Sequence, residues 1–419
     1  MLLTIDNRQS TIINRISRYS LYALLIFTPL ARASVQPWAI TIIHMLTLIA
    51  LTAFLLEKTM AWDWKWIKTP LDKPFIVLTV LCLLSSIFSL HRATSQWSLI
   101  LLLNYLVIFY LTIHTFRTRT QIRKLVYFII GMAAFLSIFG LFKYFGSNPF
   151  SWWEYTDISQ SPYRLSATFG NPDHLAGYME MTLPLVLGLF LLGFERGKKF
   201  FLIYLAFLLL TALILSLSRG SWFASITGLA LMAAFLLFDR YFKRKKLVLS
   251  IIGITLAAAF IVLSTTPVVE RILTLTERDP EANLSCRLTA WGGAVRMIEN
   301  HPVLGTGPGT FAFAYTKFQP PGLSKHYTMA HNDYLHFVSE VGLPLIAIIM
   351  WMILSLYRKG FRKLKNPSRL VRGITLGAMS GITAIVVHSV GDFNLHIPCN
   401  AILFTVLAAI TTSPIPKNS

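Results

Sequence analysis

Charge is scarce in this chain, and acidic charge is scarcest. Of 419 residues, 38 are Lys or Arg and 18 are Asp or Glu, so only 13% are charged. Soluble globular proteins carry about 25% charged residues. Hydrophobic residues make up 55% and the mean hydropathy is +0.60. Two or three soluble cores cannot be covered with so little polar surface, and the composition predicts a polytopic membrane protein.

Cysteine is also scarce. The three cysteines, Cys82, Cys286 and Cys399, are scattered along the chain. An odd number without regular spacing predicts neither a disulfide framework nor a cysteine metal site. A Cys286–Cys399 bridge is the one pairing left open.

Long apolar runs, in contrast, are plentiful. A helix that crosses the hydrocarbon of a bilayer needs about 20 mostly apolar residues. Twelve candidate spans lie near 19–34, 37–57, 73–91, 95–116, 122–145, 173–194, 200–217, 220–239, 247–265, 333–357, 372–391 and 398–413. The first resembles a signal peptide, since it follows Arg8, Arg15 and Arg18, but eleven further spans favour an uncleaved anchor.

The formal charge of +20 is unevenly divided between the two sides of the membrane. With the N-terminus inside, 27 of the 38 basic residues and six of the 18 acidic residues fall in inner segments. This asymmetry follows the positive-inside rule and predicts cytoplasmic N- and C-termini. We therefore expect a bacterial inner-membrane protein whose active site faces the periplasm. A nucleic-acid partner, which requires the basic residues on one soluble face, is not expected.

The spans and loops predict five regions. Residues 1–145 carry transmembrane helices 1–5, and 146–172 form a periplasmic loop. Residues 173–265 carry helices 6–9, and 266–332 form a large periplasmic loop that includes an amphipathic helix. Residues 333–413 carry helices 10–12. The fold class is thus all-α, with about 12 transmembrane helices.

Two arginines on the outer side are candidates for anion binding. Arg219 lies in a short outer turn, where topology does not require a cation, and arginine offers a planar fork of donors to phosphate. Snorkelling to lipid head groups is the alternative. Arg287 begins the amphipathic segment 285–300, whose apolar stripe is formed by Leu288, Trp291, Val295 and Ile298.

His331 is the candidate base. It stands at the mouth of a span, where Asn332 or Asp333 can cap the helix, and histidine suits proton transfer near neutral pH. His336 and Glu340 lie one turn apart and offer too few ligands for a metal site. A packed hydrogen-bonded pair is the prediction for them.

Weaker candidates surround these residues. Arg164, Asp173, Glu180 and Asp392 are charged groups on or near outer segments. Each either binds a sugar or supports a neighbour, and the three acids are candidate counter-ions for the two arginines. The glycine-rich segment 302–311 lacks the strand and the Lys-Ser/Thr of a nucleotide loop, so we expect a tight turn there.

Together these groups suit a lipid-linked diphosphate. Two arginines would stabilise the charge that grows as a diphosphate leaves, a histidine would take a proton from an attacking hydroxyl, and aromatic residues would stack on sugars. Since the periplasm supplies no nucleotide sugar, a polyprenyl diphosphate is the expected donor.

At these residues the sequence resembles the O-antigen ligase family of membrane glycosyltransferases. The resemblance covers roughly the last 250 residues, and its motifs are Gly170-Asn171-Pro172, Ser218-Arg219-Gly220, Arg287-Leu288 with Trp291, His301-Pro302, His331-Asn332 with Leu335, Glu340 and Gly342, and Asp392-Phe393-Asn394. It implies an all-helical, GT-C-like membrane fold with a large periplasmic loop. It also implies an inverting reaction without metal or cofactor.

Carried over by position, the resemblance implies that Arg219 and Arg287 bind undecaprenyl diphosphate and that His331 activates the acceptor hydroxyl. Arg164, Asp173, Glu180, Asn332 and Asp392 become possible substrate-binding or supporting residues. The expected partners are an undecaprenyl-diphosphate-linked glycan donor, a lipid A–core acceptor and membrane lipids. An O-antigen polymerase and a protein O-oligosaccharyltransferase stay open as alternatives. A transporter would predict internal repeats, which are not evident.

Overall fold

A computed structural model describes residues 7–148, 164–193, 199–238, 284–319 and 327–416, with positions 242, 245, 246, 250 and 253. The described chain is an all-helical bundle, which confirms the predicted class. Its α-helices are α1 (Asn7–Leu30), α2 (Pro37–Met60), α3 (Asp72–Ile87), α4 (Arg92–Thr115), α5 (Arg119–Tyr144), α6 (Pro172–Gly188), α7 (Lys199–Leu215), α8 (Arg219–Phe238), α9 (Leu284–Asn300), α10 (Phe311–Tyr315), α11 (Asp333–Val341), α12 (Pro344–Lys363), α13 (Arg369–His388) and α14 (Pro398–Thr412).

Membrane spans are recognised by helix length and apolar composition. Within the described residues seven helices meet both criteria: α2, α4, α5, α6 with its continuation to Leu192, α8, α12 and α13. Helices α7 and α14 are shorter and apolar. Apart from positions 250 and 253, the predicted span at 247–265 lies outside the described residues, so the count of twelve stays a prediction.

Hydrogen bonds between helix termini show which termini lie at the same end of the bundle. At the first end, which we call the basic end, hydrogen bonds join Asn14 to Glu57, Ser17 to Thr115, Tyr110 to Asp72, and Lys363 to Ile410. At the second, which we call the site end, they join Thr168 to Pro29, Arg164 to Ser216, Asn400 to His174, and Ser85 to Leu304. The helices therefore run from end to end, and most described basic residues gather at the basic end.

Helix α13 packs closely against α6 through glycines. A Cβ atom added at Gly377 would lie 2.6 Å from the carbonyl oxygen of Pro184. Gly381 faces the carbonyl of Met181 in the same way, one turn further along. Because these positions have no side chain, the two backbones approach closely. This contact brings the C-terminal end of α13, with His388, beside the first half of α6, with Glu180.

The span predicted at 333–357 is two helices instead of one. Helix α11 ends at Val341 and α12 begins at Pro344. Gly342 has φ +95°, and the backbone of Val303 fills the space where its Cβ would be. The Leu343 N–H donates to the Pro302 carbonyl (2.8 Å). The positive φ of Gly342 ends the first helix. Pro344 starts the second helix, because its missing N–H needs no partner in a first turn.

The amphipathic segment forms α9, as its periodicity predicts. The face that packs inside the protein is made of small residues and Met297, with Ala290 and Ala294 fully buried against the Phe311–Tyr315 helix. Leu288 and Val295, from the predicted apolar stripe, are exposed. Ile298, from the same stripe, packs against the cluster of Cys82, Val338, Val341 and Leu345, so only part of the stripe points away from the protein core. Cys82 and Cys399 are buried free thiols, so the Cys286–Cys399 pairing left open above is not formed.

Candidate functional site at the site end of the bundle

The connection between α13 and α14 is held against the start of α11 by Asp333. The Asp333 N–H donates to the carbonyls of Ser389 (2.9 Å) and Asp392 (3.1 Å). The Asp333 carboxylate accepts from the Ser389 hydroxyl (2.8 Å) and the Leu395 N–H (2.9 Å). Asn332, in contrast, caps α11 by accepting from the Leu335 N–H (3.0 Å). Asp333 thus fixes the segment that carries Asp392 beside the segment that carries His331.

His331 faces the Asp392 carboxylate. Its Nδ1 lies 3.8 Å from Asp392 Oδ1, and its side chain is 30% exposed. Its φ of +51° is rare for a residue with a side chain, and the edge of the Phe393 ring packs against the imidazole. With Nδ1 turned inward to the carboxylate, Nε2 is the ring nitrogen left to exchange a proton with a substrate.

Asp392 is buried among basic side chains. Its Oδ2 lies 3.7 Å from Nε2 of His388. Burial alone raises the pKa of the Asp392 carboxyl, but His331, His388, His174 and Arg287 together hold that pKa well below its usual range. The group is therefore a carboxylate at neutral pH, a form that stabilises an imidazolium.

A second acidic residue lies behind this pair. Oε1 of Glu180 is 3.1 Å from Nδ1 of His388. The Glu180 side chain is 0% exposed and the His388 side chain 2%. An acid–histidine pair so deep in an apolar bundle is costly and tends to serve function.

Arg287 binds the same connection from α9. Its Nη1 donates to the Gly391 carbonyl (2.7 Å). Its Nε is buried and has no hydrogen-bond partner within the part of the chain that the structure describes. The half-buried guanidinium therefore stands next to Asp392 and is not fully satisfied by the protein.

Arg219 is the exposed first residue of α8. Its neighbour Gly220 packs directly on His388, since an added Cβ would lie 2.9 Å from the imidazole ring. Arg219 and Arg287 thus belong to elements that contact the same short segment, from His388 to Asp392. The predicted short turn between the two apolar helices is present as residues 216–218.

Arg164 and Asp173 form their own ion pair. Arg164 Nη2 lies 2.7 Å from Asp173 Oδ1, and Arg164 Nε donates to the Ser216 carbonyl (2.8 Å). Arg164 therefore ties the start of α6 to the turn before Arg219. Asp173 pairs with Arg164, and Glu180 pairs with His388. Among the three acids considered as counter-ions for the two arginines, Asp392 lies beside Arg287.

His336, Glu340 and His396 form a neighbouring cluster, in which His396 is partly buried and contacts the Asp333 carboxylate. Their ligand atoms lie within 4.8 Å of one another, close enough to hold a metal. However, His336 Nδ1 accepts from the Ala330 N–H (3.4 Å), so the ring hydrogen sits on Nε2, which is 3.2 Å from Glu340. A metal on Nε2 would require a hydrogen on Nδ1, pointing at that N–H. The geometry favours the hydrogen-bonded pair.

The Glu340 carboxylate also closes the glycine-rich turn. It accepts from the N–H groups of Gly309 (2.8 Å) and Phe311 (2.9 Å). Gly305, Gly307 and Gly309 all have positive φ. The segment is therefore the tight turn that the sequence predicts.

Sequence reasoning missed His388 and assigned Asp333 only a capping role. Two signals were available for His388: it is an ionisable residue inside an apolar run, and it lies four residues before Asp392. No sequence signal pairs Asp333 with the α13–α14 connection.

The fold and this charged cluster define a multi-helix membrane protein with a polar site at one end of its bundle. Residues 204–350 match the family model described as O-antigen ligase. This segment of the chain is therefore similar to the O-antigen ligase family, which supports the resemblance seen in the motifs from Ser218 to Gly342. The matched segment contains Arg219, Arg287 and His331. It supports a glycosyltransferase of the ligase and polymerase type and does not separate the two reactions. A comparison with curated proteins finds no match.

Proposed function

We propose that this protein is an O-antigen ligase, which transfers a glycan from undecaprenyl diphosphate to a hydroxyl of lipid A–core. The observation that carries the proposal is the His331–Asp392 pair, with the Arg287 guanidinium bound to the adjacent Gly391 carbonyl. A base, a carboxylate that orients it and a cation for a leaving diphosphate are what such a transfer needs.

In the proposed reaction, His331 Nε2 takes the proton of the acceptor hydroxyl as its oxygen attacks the anomeric carbon. Attack comes from the face opposite the diphosphate, so the anomeric configuration inverts in one step. The glycosidic C–O bond forms while the bond from carbon to the diphosphate oxygen breaks. The diphosphate keeps the electron pair, and Arg219 and Arg287 stabilise its charge. Asp392 stabilises the His331 imidazolium, and no metal takes part.

The proposed function also implies an orientation of the protein in the membrane. Basic residues favour the cytoplasmic side of the inner membrane, so the basic end would face the cytoplasm and the site end the periplasm. Undecaprenyl-linked glycan and lipid A–core would meet the site from the outer leaflet. Arg164, Asp173, Glu180 and Asn332 would support the site through their contacts with its helices.

Complementation tests this proposal against its rivals. The gene is expressed in a strain that lacks its ligase, and lipopolysaccharide is displayed as a ladder on a gel. Long chains on lipid A–core support a ligase, whereas elongated glycan left on the polyprenyl carrier supports a polymerase. Glycan found on protein indicates a protein O-oligosaccharyltransferase. Glycan that crosses the membrane unchanged indicates a transporter.

Matched variants connect the phenotype to the site. His331→Gln should abolish the ladder, while His91→Gln, at an exposed histidine that caps α4, should leave it intact. Both proteins should reach the membrane at the wild-type level. A full ladder with His331→Gln would remove the proposed mechanism.

A further inference from the structure

Four ionisable side chains form a continuous row from the inside of the bundle to its surface. The row begins at Glu180, which is fully buried, and passes through His388 and Asp392 to the partly exposed His331. The successive nitrogen–oxygen distances are 3.1, 3.7 and 3.8 Å. The first two members, Glu180 and His388, have no direct contact with the surface where a substrate would bind.

Charges alternate along this row. His388 lies between two carboxylates, one on each ring nitrogen, so its cationic form is favoured. With Glu180 ionised opposite the His388 imidazolium, Glu180, His388 and Asp392 carry −1, +1 and −1. The three groups behind His331 therefore have a net charge of −1, which stabilises the imidazolium that forms when His331 accepts a proton.

We propose that Glu180 and His388 are positioning residues that set the net charge opposite His331. His388 holds the Asp392 carboxylate from the side away from His331, and Glu180 compensates the charge of His388. This inference rests on the proposed function, since it concerns how strongly His331 acts as a base.

Other charged groups also face the row, and they are the same in the wild type and in the Glu180 and His388 variants. Arg287 and His174 lie near Asp392, and Asp173 acts on His388. The side-chain amide nitrogen of Asn394 lies 3.2 Å from Nδ1 of His388, the ring nitrogen that also faces Glu180. Because these groups stay unchanged, a shift between variants reports on Glu180 and His388.

A purely structural role is the competing explanation. The Glu180–His388 pair joins α6 to α13, and its loss could simply loosen the site. Such a role predicts a lower rate in every variant without an ordered movement of the pH profile. The charge-setting role predicts that the profile follows the net charge.

The test measures kcat/KM against pH for glycan transfer from an undecaprenyl-diphosphate-linked O-antigen unit to purified lipid A–core. Three full-length proteins are compared: the wild type, Glu180→Gln, and the double variant Glu180→Gln/His388→Asn. The summed charges at positions 180, 388 and 392 in these three proteins are −1, 0 and −1. Loss of one negative charge makes the His331 imidazolium less stable, so the acid limb of Glu180→Gln should move to lower pH by about half a unit.

The double variant should restore the acid limb to the wild-type position, although its rate stays below that of the wild type. A limb that does not move in Glu180→Gln, or that moves and does not return in the double variant, would overturn the proposal. If Glu180→Gln does not accumulate, Glu180→Asp retains the charge and should retain the wild-type limb; a shifted limb there contradicts the proposal. Failure of the proposed function itself is distinguishable, because the wild type would then transfer no glycan.

Discussion

His331 and Asp392 meet because Asp333 joins their two segments. The imidazole Nδ1 lies 3.8 Å from the carboxylate, while the Asp333 N–H donates to the Asp392 carbonyl at 3.1 Å. The carboxylate is buried and the imidazole is partly exposed. An imidazole backed by a fixed carboxylate and open on its other side has the arrangement of a general base.

Asp392→Asn tests this relationship in catalysis. The amide retains the shape but cannot stabilise the imidazolium, so glycan transfer should fall by about 10²- to 10⁴-fold. The measurement is initial transfer rate at pH 7 with equal amounts of folded protein. Asp63→Asn changes an exposed carboxylate near Lys58, at the basic end, and should leave the rate unchanged. Equal rates in wild type and Asp392→Asn would show that the carboxylate does not assist His331.

The same carboxylate makes folding stability depend on pH. The pKa of Asp392 is below its usual value in the folded protein, so the unfolded chain binds its proton more readily. Its stabilisation is fully present above the unfolded pKa of about 3.9 and is lost as pH falls toward the folded pKa. We expect the wild type to unfold at a higher temperature than Asp392→Asn at pH 7, and the difference to shrink below about pH 4. A constant difference down to pH 3, measured by thermal unfolding in detergent, would contradict the depressed pKa.

Arg287→Ala and Arg296→Ala form a matched pair on one helix. Arg287 donates to Gly391 beside the site, whereas the exposed Arg296 donates to Phe318 on the other side of α9. Loss of a charge-assisted contact to diphosphate should lower kcat/KM for the donor by about 10- to 100-fold in Arg287→Ala. Arg296→Ala should stay within twofold of the wild type. Equal losses in both variants would indicate a general effect on α9.

Features formed within one stretch of chain could be predicted from the sequence. The turn before Arg219, the Asn332 cap and the His336–Glu340 pair all depend on helical spacing, which the sequence displays. The apolar runs likewise predict the helices, because length and hydropathy decide which segments can cross a bilayer.

Features formed between distant stretches could not be predicted in this way. Glu180 and His388 face each other only because glycines on α13 let it approach α6. Asp333 looks like a cap until the α13–α14 connection is placed beside it. The break at Gly342 depends on the backbone of Val303, which hydropathy does not report.

Metal removal separates the two interpretations of the His336–Glu340–His396 cluster. If the cluster is a hydrogen-bonded pair with a neighbouring histidine, glycan transfer should be unchanged after treatment with EDTA and gel filtration. Zinc or manganese added back should have no effect on the rate. A loss in EDTA that one divalent metal restores would instead establish a metal site there. The control is a metal-dependent enzyme treated in the same buffer, which must lose its activity.

Gly377→Ala tests whether the close contact of α6 and α13 creates the site. The new Cβ would lie 2.6 Å from the Pro184 carbonyl oxygen, so the helices must separate. Overpacking of this kind costs about 1–3 kcal/mol, and it would also pull Glu180 away from His388. Gly131→Ala is the matched control, since no atom outside its own helix segment lies within 4 Å of the added Cβ and alanine favours a helix. We expect Gly377→Ala to lower both the unfolding temperature and the transfer rate, and Gly131→Ala to lower neither. If Gly377→Ala were as stable and as active as Gly131→Ala, the glycine contact would not be what holds the two helices together.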